Sequence, residues 1–275
     1  MTKAGITLAD IAGNHCEFHY YARKKDNHLK IALTVKSEDG NLIEEVDLYS
    51  AEGYKVAADL WLRASCHQRV MYEPTWMGIP IIQYPTDMVM MQELIWKIRP
   101  DYIIETGVAH GGSCVLHASI LELIGKGQVI GIDVEIRKYN ETAIKNHPMA
   151  KRIHLIEGSS IDPEVIKQVR HIARPGAKCL VVLDSNHSYQ HVKKEIELYQ
   201  QFVGIDCYMV VMDGAQEWAA TLPNGKPEWA EDNPLRAIRE FVTASEGEWV
   251  VDEHYSRMKI TSSPMGFLKR RDMSI

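Results

Sequence analysis

The chain has 275 residues, of which 45% are hydrophobic and 25% are charged, and its formal net charge is −6. This composition predicts one large core with a smaller appendage, without a need for disulfides or metal clusters. The acidic balance disfavours a nucleic-acid partner, because phosphate backbones bind clustered positive charge.

No apolar run reaches membrane-spanning length and the first residues lack the apolar core of a signal peptide, so we expect a cytoplasmic protein with no membrane partner. The five cysteines lack CxxC spacing, which predicts reduced thiols.

Residues 1–80 differ in pattern from the rest and predict an N-terminal α+β appendage. Apolar and polar residues alternate over 29–35, Asp39-Gly40 supplies turn chemistry, and 42–48 suggests a returning strand, so we expect a β-hairpin. A helix near 52–71 follows. We expect the appendage to cover an active site or to form the contact of a homo-oligomer, and a simple cover over apolar sheet surface is the alternative.

The remaining residues, 81–275, are predicted to form one α/β domain. From about residue 88, strand patterns alternate with amphipathic stretches such as 163–173, which is typical of a parallel, doubly wound sheet with helices on both faces. We predict seven strands, at 102–105, 129–133, 153–157, 179–184, 208–213, 249–252 and 266–270.

The run DYIIETGVAHGGS, residues 101–113, predicts a buried strand that passes through a glycine-rich turn into a helix. Free N–H groups at the start of that helix favour an anion. A dinucleotide-binding turn needs a glycine where Ala109 stands, so pyrophosphate fits poorly. The carboxylate of S-adenosylmethionine needs only the helix start, and Glu105 can accept hydrogen bonds from the neighbouring amine. Asp133 ends the next strand, where a ribose-binding acid falls.

Two further acids, Asp184 and Asp213, end the fourth and fifth predicted strands of the domain, which are expected to be neighbours. Two carboxylates without an adjacent cation favour a divalent ion such as Mg²⁺. The alternative is that each acid caps the helix after its strand. His187 stands beside them and is a candidate general base, or a histidine that caps the helix or supports the site from behind.

The segment 214–232 is too long and too rich in turn residues for a tight connection, so we expect a lid over an acceptor. Its tryptophans, Trp218 and Trp229, can stack on a sugar ring or can pin the loop to the surface. A nicotinamide-dependent oxidoreductase on the same sheet is an alternative function, and a homologue that binds without catalysis is another.

Taken together, the segments ETGVAHGGS, GID, EGSS, LDSNHSY, VVMD, NPLRAIREF and SPMGFLKR resemble the cephalosporin-hydroxylase-type S-adenosylmethionine-dependent methyltransferases, over roughly residues 75–270. The resemblance implies a class I methyltransferase (Rossmann-like) sheet. It also implies S-adenosylmethionine as cosubstrate and O-methylation of a small hydroxylated acceptor, such as a sugar, a nucleotide sugar or a natural-product intermediate.

By position, the resemblance assigns the metal-binding roles to Asp184 and Asp213. Together with the place of His187 beside these acids, it leads us to expect His187 and Asp184 as the catalytic residues. Relatives place an acid just before the second metal acid, where this chain has Met212. Because adjacent strand residues point to opposite faces, we expect Met212 to face the core and Asn186, His187 or Glu217 to complete the coordination. A weaker metal site, or none, is the alternative. The cosubstrate residues implied for the methionine end, the ribose and the adenine edge are Glu105, Thr106, Gly107, Gly111, Gly112, Ser113, Asp133, Gly158, Ser159, Ser160 and Asp184.

Overall fold

The structure is a computed structural model that describes residues 4–11, 14–25, 28–36 and 42–274, with side chains from residue 45 onward. It divides into two compact units, Met1–Ala64 and Ser65–Ile275. The second unit therefore takes in 65–80, which the sequence analysis placed in the appendage. One reason is that Trp76 is tied to this unit, since its indole N–H donates to Ser119 Oγ at 3.1 Å.

The first unit is built on an antiparallel sheet of four strands in the order β1-β2-β3-β4. The predicted hairpin is confirmed as the antiparallel pair of the last two strands, and its turn lies outside the described residues. The first two strands were not predicted, and the helix ends before residue 71. The elements are β1 Ala4–Ile11, β2 Asn14–Lys25, β3 His28–Lys36, β4 Leu42–Asp47 and α1 Ala51–His67.

The second unit contains the predicted sheet of seven strands, in the order β12-β13-β11-β10-β7-β8-β9. The strands from β11 to β9 are parallel, and β13 runs antiparallel to both of its neighbours. The strands are β5 Thr75–Trp76, β6 Ile79–Pro80, β7 Tyr102–Thr106, β8 Gln128–Asp133, β9 Ile153–Glu157, β10 Cys179–Leu183, β11 Tyr208–Val211, β12 Trp249–Val251 and β13 Phe267–Arg270. The helices are α2 Pro85–Ile98, α3 Gly112–Ile124, α4 Lys138–Asn146, α5 Pro163–Ile172, α6 Tyr189–Tyr199, α7 Gln216–Ala219 and α8 Pro234–Ala244.

Each face of this sheet packs against its own set of helices, which confirms the doubly wound prediction. Successive side chains of a strand point to opposite faces, and β10 shows the consequence: Val181 and Leu183 belong to a core with α5, α6 and α8, whereas Leu180 and Val182 belong to a core with α2 and α3. Both cores are almost wholly apolar, so the continuous apolar runs seen in the sequence are explained by burial on both faces.

The register of three strands brings the segments after them together. Leu183 of β10 lies beside Thr106 of β7 on one side and Val211 of β11 on the other. Since these strands are parallel, the residues at their carboxyl ends meet at one edge of the sheet. The cysteines whose side chains are described, Cys66, Cys114, Cys179 and Cys207, are free thiols. Among the described residues, every helix is too short or too polar to traverse a bilayer.

A buried carboxylate ties α2 to the loop before β13. Asp87 is 3% exposed, and its Oδ2 accepts hydrogen bonds from the backbone N–H of Ser262 at 2.9 Å and from Ser262 Oγ at 3.1 Å. In the same loop, Ser263 Oγ accepts from the backbone N–H of Asp213 at 3.3 Å. Burial raises the pKa of Asp87 to about 6, although its hydrogen bonds oppose that rise.

This burial is expected to make the stability of the protein depend on pH. Because the folded state raises the pKa of Asp87 from 3.8 to about 6, the folded protein retains a proton that the unfolded chain has lost between those values. Wild type therefore loses stability relative to Asp87→Asn as pH rises through this window, by about 3 kcal/mol in all. Urea unfolding of both proteins at a series of pH values between about 4 and 7 measures the difference. A difference that stays constant with pH would contradict this reading.

Candidate functional site

The glycine-rich turn after β7 brings the main chain close to two other segments. Gly107 has φ +88°, and a Cβ at this position would lie 1.9 Å from the carbonyl oxygen of Asp184. A Cβ on Gly112, the first residue of α3, would lie 2.3 Å from the carbonyl oxygen of Pro80. The absence of side chains at these two positions therefore lets the turn fit between the end of β10 and residues 80–83.

A cavity of about 200 Å³ lies over this turn, and we call it the turn cavity. Within the described residues, nothing accepts a hydrogen bond from the backbone N–H of Gly112 or Ser113, as expected for the first turn of a helix. The cavity is lined by Tyr72, Pro80, Ile81, Ile82, Gln83, Gly107, Val108, Ala109, His110, Gly112, Ser113, Asp184, Ser185, His187 and Asp213.

A second cavity, of about 440 Å³, adjoins the same carboxylates, and we call it the aromatic cavity. Three residues, Tyr72, His187 and Asp213, line both cavities. The two spaces therefore meet at one imidazole and one carboxylate. The aromatic cavity is lined by Cys66, Arg69, Met71, Tyr72, Tyr84, His187, Asp213, Ala215, Gln216, Trp218, Ala219, Leu222, Asn224, Trp229 and Ser262.

Where the cavities meet, Asp184, His187 and Asp213 form a cluster whose potential ligand atoms all lie within 4.8 Å of one another. His187 Nδ1 is 3.2 Å from Asp213 Oδ2, and its Nε2 is 3.5 Å from Asp184 Oδ1. Burial raises the pKa of the Asp184 carboxyl. Burial lowers the pKa of His187, but the negative charges of Asp213 and Asp184 outweigh it and raise the value. The cluster thus favours positive charge, and two carboxylates with one imidazole suit a divalent cation.

Met212 faces the apolar core, as predicted, so it takes no part in this cluster. It is 3% exposed and packs in the same core as α2. Of the three residues left to complete the coordination, the structure brings His187 to the acids. Asn186 Oδ1 accepts a hydrogen bond from the Ser188 N–H at 2.9 Å, and the Glu217 carboxylate pairs with Arg239 at 3.0 Å.

Glu105 lies behind the wall of the turn cavity and does not line it. It is fully buried, and its Oε2 accepts a hydrogen bond from Cys114 Sγ at 3.3 Å and is 3.2 Å from His117 Nδ1. Thr106 is also fully buried, and its carbonyl oxygen accepts from the Asp184 N–H at 2.9 Å. In this conformation both residues pack behind the residues that line the cavity. The contact with a cosubstrate amine that was expected of Glu105 stays a prediction.

Asp133 contacts the turn itself. Its Oδ2 accepts hydrogen bonds from the backbone N–H groups of Val108 at 2.8 Å and Ala109 at 3.0 Å. This carboxylate therefore fixes the middle of the glycine-rich turn, and Gly111 closes the turn with φ +91° at the start of α3. Binding of a ribose by Asp133 remains a prediction.

The residues predicted for the adenine edge follow β9 and line neither cavity. Gly158 has φ +155°, and Ser159 accepts the Asp162 N–H at its carbonyl oxygen at 2.9 Å. Ser160 Oγ lies 3.1 Å from His191 Nε2, which is also 3.2 Å from Ser185 Oγ. His191 thereby links the end of β9 to the residue that follows Asp184.

Sequence reasoning missed the wall formed by residues 80–83, to which it gave no part in the site. The one signal in the sequence is Pro85 at the first position of α2. Proline at that position marks the start of a helix, so residues 80–83 come just before a helix N-terminus. No sequence pattern distinguishes Gln83 as a cavity residue.

Residues 68–271 match the rhamnosyl O-methyltransferase/CmcI family. The chain belongs to this family. A rhamnosyl O-methyltransferase of Mycobacterium tuberculosis (strain ATCC 25618 / H37Rv) is 30% identical over 208 residues, which cover 73% of this chain and 80% of the relative. One from Mycobacterium leprae (strain TN) is 28% identical over 201 residues, covering 72% of this chain and 83% of the relative.

Solved structures of CmcI share the fold. Its Mg–SAM form is 19% identical, has a TM-score of 0.53, and matches over 73% of this chain and 78% of its own. An apo structure of CmcI is 19% identical, has a TM-score of 0.51, and covers 73% of this chain and 77% of its own. The sheet of the second unit is therefore a class I methyltransferase sheet, as the resemblance implied.

The fit of the turn against β10 is testable with two glycines of similar backbone conformation. Gly107→Ala puts a methyl group against Asp184 O and is expected to destabilise the fold by about 3 kcal/mol or more, from overpacking and a left-handed φ together. In the control, Gly125→Ala, φ is +86° with open space around the added carbon, so about 1 kcal/mol is expected. Urea unfolding measures both. Equal losses of unfolding free energy in the two variants would show that the close approach of the turn to Asp184 does not contribute to stability.

Proposed function

We propose that this chain is an S-adenosylmethionine-dependent O-methyltransferase that methylates a hydroxyl group of a small molecule with the help of a divalent cation. The observation that carries the proposal is the junction of two cavities at His187 and Asp213. A group transfer between two small molecules needs two binding spaces that meet where the reacting atoms are aligned. Membership of a family of O-methyltransferases supports this reading.

The turn cavity is proposed to hold the methionine portion of the cosubstrate. The unpaired N–H groups of Gly112 and Ser113 and the positive end of the α3 dipole favour its carboxylate. The sulfonium methyl is already activated, so the protein has to orient the acceptor oxygen, remove its proton and exclude water. The adenosine portion is proposed to extend toward Asp133 and residues 158–160.

Asp184 and Asp213 are proposed to hold the divalent cation. Their donor set fits one, because the two carboxylate groups converge at the junction of the cavities. The CmcI structure with Mg and SAM supports the choice of Mg²⁺. When bound, such an ion would orient the acceptor and lower the pKa of its hydroxyl.

His187 is proposed to accept the proton of the acceptor hydroxyl. It is the imidazole that lines both cavities among the described residues, and Asp213 at 3.2 Å fixes its orientation. The same carboxylates stabilise the positive charge that the imidazole carries after proton transfer. Asp184 is proposed as a catalytic residue because it lines the turn cavity and lies 3.5 Å from His187 Nε2. Asp213 is proposed to hold both the cation and the imidazole.

The aromatic cavity is proposed to bind the acceptor. Tyr72, Trp218 and Trp229 line it, and aromatic faces suit the apolar face of a sugar ring or a natural-product ring system. The mycobacterial relatives are named as rhamnosyl O-methyltransferases, which favours a sugar hydroxyl. The segment 214–232 supplies both tryptophans and is proposed to act as the lid.

The proposed activity predicts methyl transfer that depends on this cluster. Purified protein with S-adenosylmethionine and a panel of sugars, nucleotide sugars and hydroxylated secondary metabolites should yield S-adenosylhomocysteine and a methylated product. EDTA should suppress the reaction and Mg²⁺ should restore it. His187→Ala should lower kcat by about 10²–10⁴-fold, the usual contribution of a general base, whereas His171→Ala, an exposed histidine outside both cavities, should be neutral.

Three results would overturn parts of this proposal. Saturable binding of NADH without binding of S-adenosylmethionine would favour an oxidoreductase. Cosubstrate binding without turnover on any hydroxylated acceptor would favour a non-catalytic homologue. Full activity in EDTA would remove the cation from the mechanism while leaving the methyl transfer.

The lid tryptophans are expected to act on acceptor binding rather than on chemistry. Trp218→Ala and Trp229→Ala should each raise the KM for the acceptor by about tenfold, from lost stacking and apolar contact, with a smaller change in kcat and none in the KM for S-adenosylmethionine. Trp96→Ala is the control, because Trp96 is exposed on α2 outside both cavities. Loss of cosubstrate affinity in the two tryptophan variants would contradict this prediction, because it would show that these tryptophans stabilise more of the protein than the acceptor site.

A further inference from the structure

Gln83 is a buried polar side chain that has no partner among the described residues. It is 4% exposed, and neither its Nε2 nor its Oε1 makes a hydrogen bond within that part of the chain. Buried amides in native proteins are almost always hydrogen-bonded, so an unpaired one calls for a specific explanation. Gln83 lines the turn cavity and is not part of the aromatic cavity, which points to the ligand of the turn cavity as its partner.

The surroundings of Gln83 indicate which chemical groups its ligand carries. The segment 80–83 packs directly on the first turn of α3, because Gly112 leaves no room for even a Cβ beside Pro80. The residues that line the cavity therefore include Gly112 and Ser113, whose N–H groups are unpaired, together with Gln83, whose amide is unpaired. The helix end favours an anion. The amide adds a hydrogen-bond donor, which an anion can use, and a hydrogen-bond acceptor, which an isolated anion cannot use.

A group that carries a carboxylate and an ammonium on one carbon uses all of these contacts. Glu105, the neighbouring acid, is fully buried and does not line the cavity, whereas Gln83 is a polar side chain in the cavity wall that offers both a donor and an acceptor. We propose that Gln83 binds the α-amino-acid end of S-adenosylmethionine, with Nε2 donating to the carboxylate and Oε1 accepting from the ammonium. This inference rests on the proposed function and names a binding residue for it.

Two ligands that differ only in the amino-acid end test the proposal. S-adenosylhomocysteine carries that end, whereas 5′-methylthioadenosine keeps the adenosine and the thioether and lacks it. Titration calorimetry on the full chain should show that Gln83→Met and Gln83→Leu each weaken S-adenosylhomocysteine by about tenfold, the usual cost of losing buried polar contacts. Both variants should bind 5′-methylthioadenosine within about twofold of wild type, since the lost contacts are confined to the absent end.

Gln128→Met is the matched control, because Gln128 is a half-buried glutamine at the start of β8 that lines neither cavity. It should leave both affinities unchanged. The unfolding temperatures of the unliganded variants verify that they fold, and the two Gln83 substitutions guard against the failure of one.

The outcomes separate this inference from the proposed function. Equal weakening of both ligands, or no weakening of either, would overturn the role of Gln83 while leaving a cosubstrate-binding protein. Wild type that binds neither ligand would overturn the proposed function, and this inference with it.

Discussion

The repulsion between Asp184 and Asp213 is the constraint on which the rest of the site depends. The parallel pairing of β10 with β11 places the two carboxylates at the same edge of the sheet, and the chain places His187 between them, 3.2 Å from one and 3.5 Å from the other. Two acids in a partly buried position are costly unless positive charge joins them. The imidazole supplies part of that charge, and a divalent cation would supply more. The cavity junction, the proposed base and the proposed cation site therefore arise from one feature of strand order.

Other parts of the second unit hold this junction rigidly. The backbone of Gly107 lies against Asp184, and Asp133 fixes the middle of the same turn through two N–H groups. On the other side, Asp87 anchors the loop whose Ser263 contacts the backbone of Asp213. These contacts hold the backbone at Asp184 and at Asp213 in place. Preorganisation of the site thus depends on buried polar groups well away from the reacting atoms.

Sequence patterns were sufficient wherever burial on both faces leaves a continuous apolar run, as in β7, β8, β10 and β11, and wherever acids end such runs. They failed where the information lies in partners distant along the chain. No strand was predicted for β1 or β2. Residues 65–80, predicted as part of the appendage, group with the second unit, where Trp76 finds its partner on α3. For Glu105, the end of a strand gave the position, and its contact with the cosubstrate stays a prediction. The direction of its side chain depends on packing against Cys114 and His117, and no local pattern reports that packing.

Met212 shows how the chain accommodates a departure from the pattern of its relatives. Met212 is 3% exposed and packs in the apolar core shared with α2, where a methionine packs well and a carboxylate would be costly to bury. Met212 in place of an acid is therefore compatible with the core and with the cluster. The cluster is still formed, because His187 approaches from the loop after β10 rather than from the strand. The loop at 184–187, more than the strand itself, is where this chain sets the chemistry of the junction.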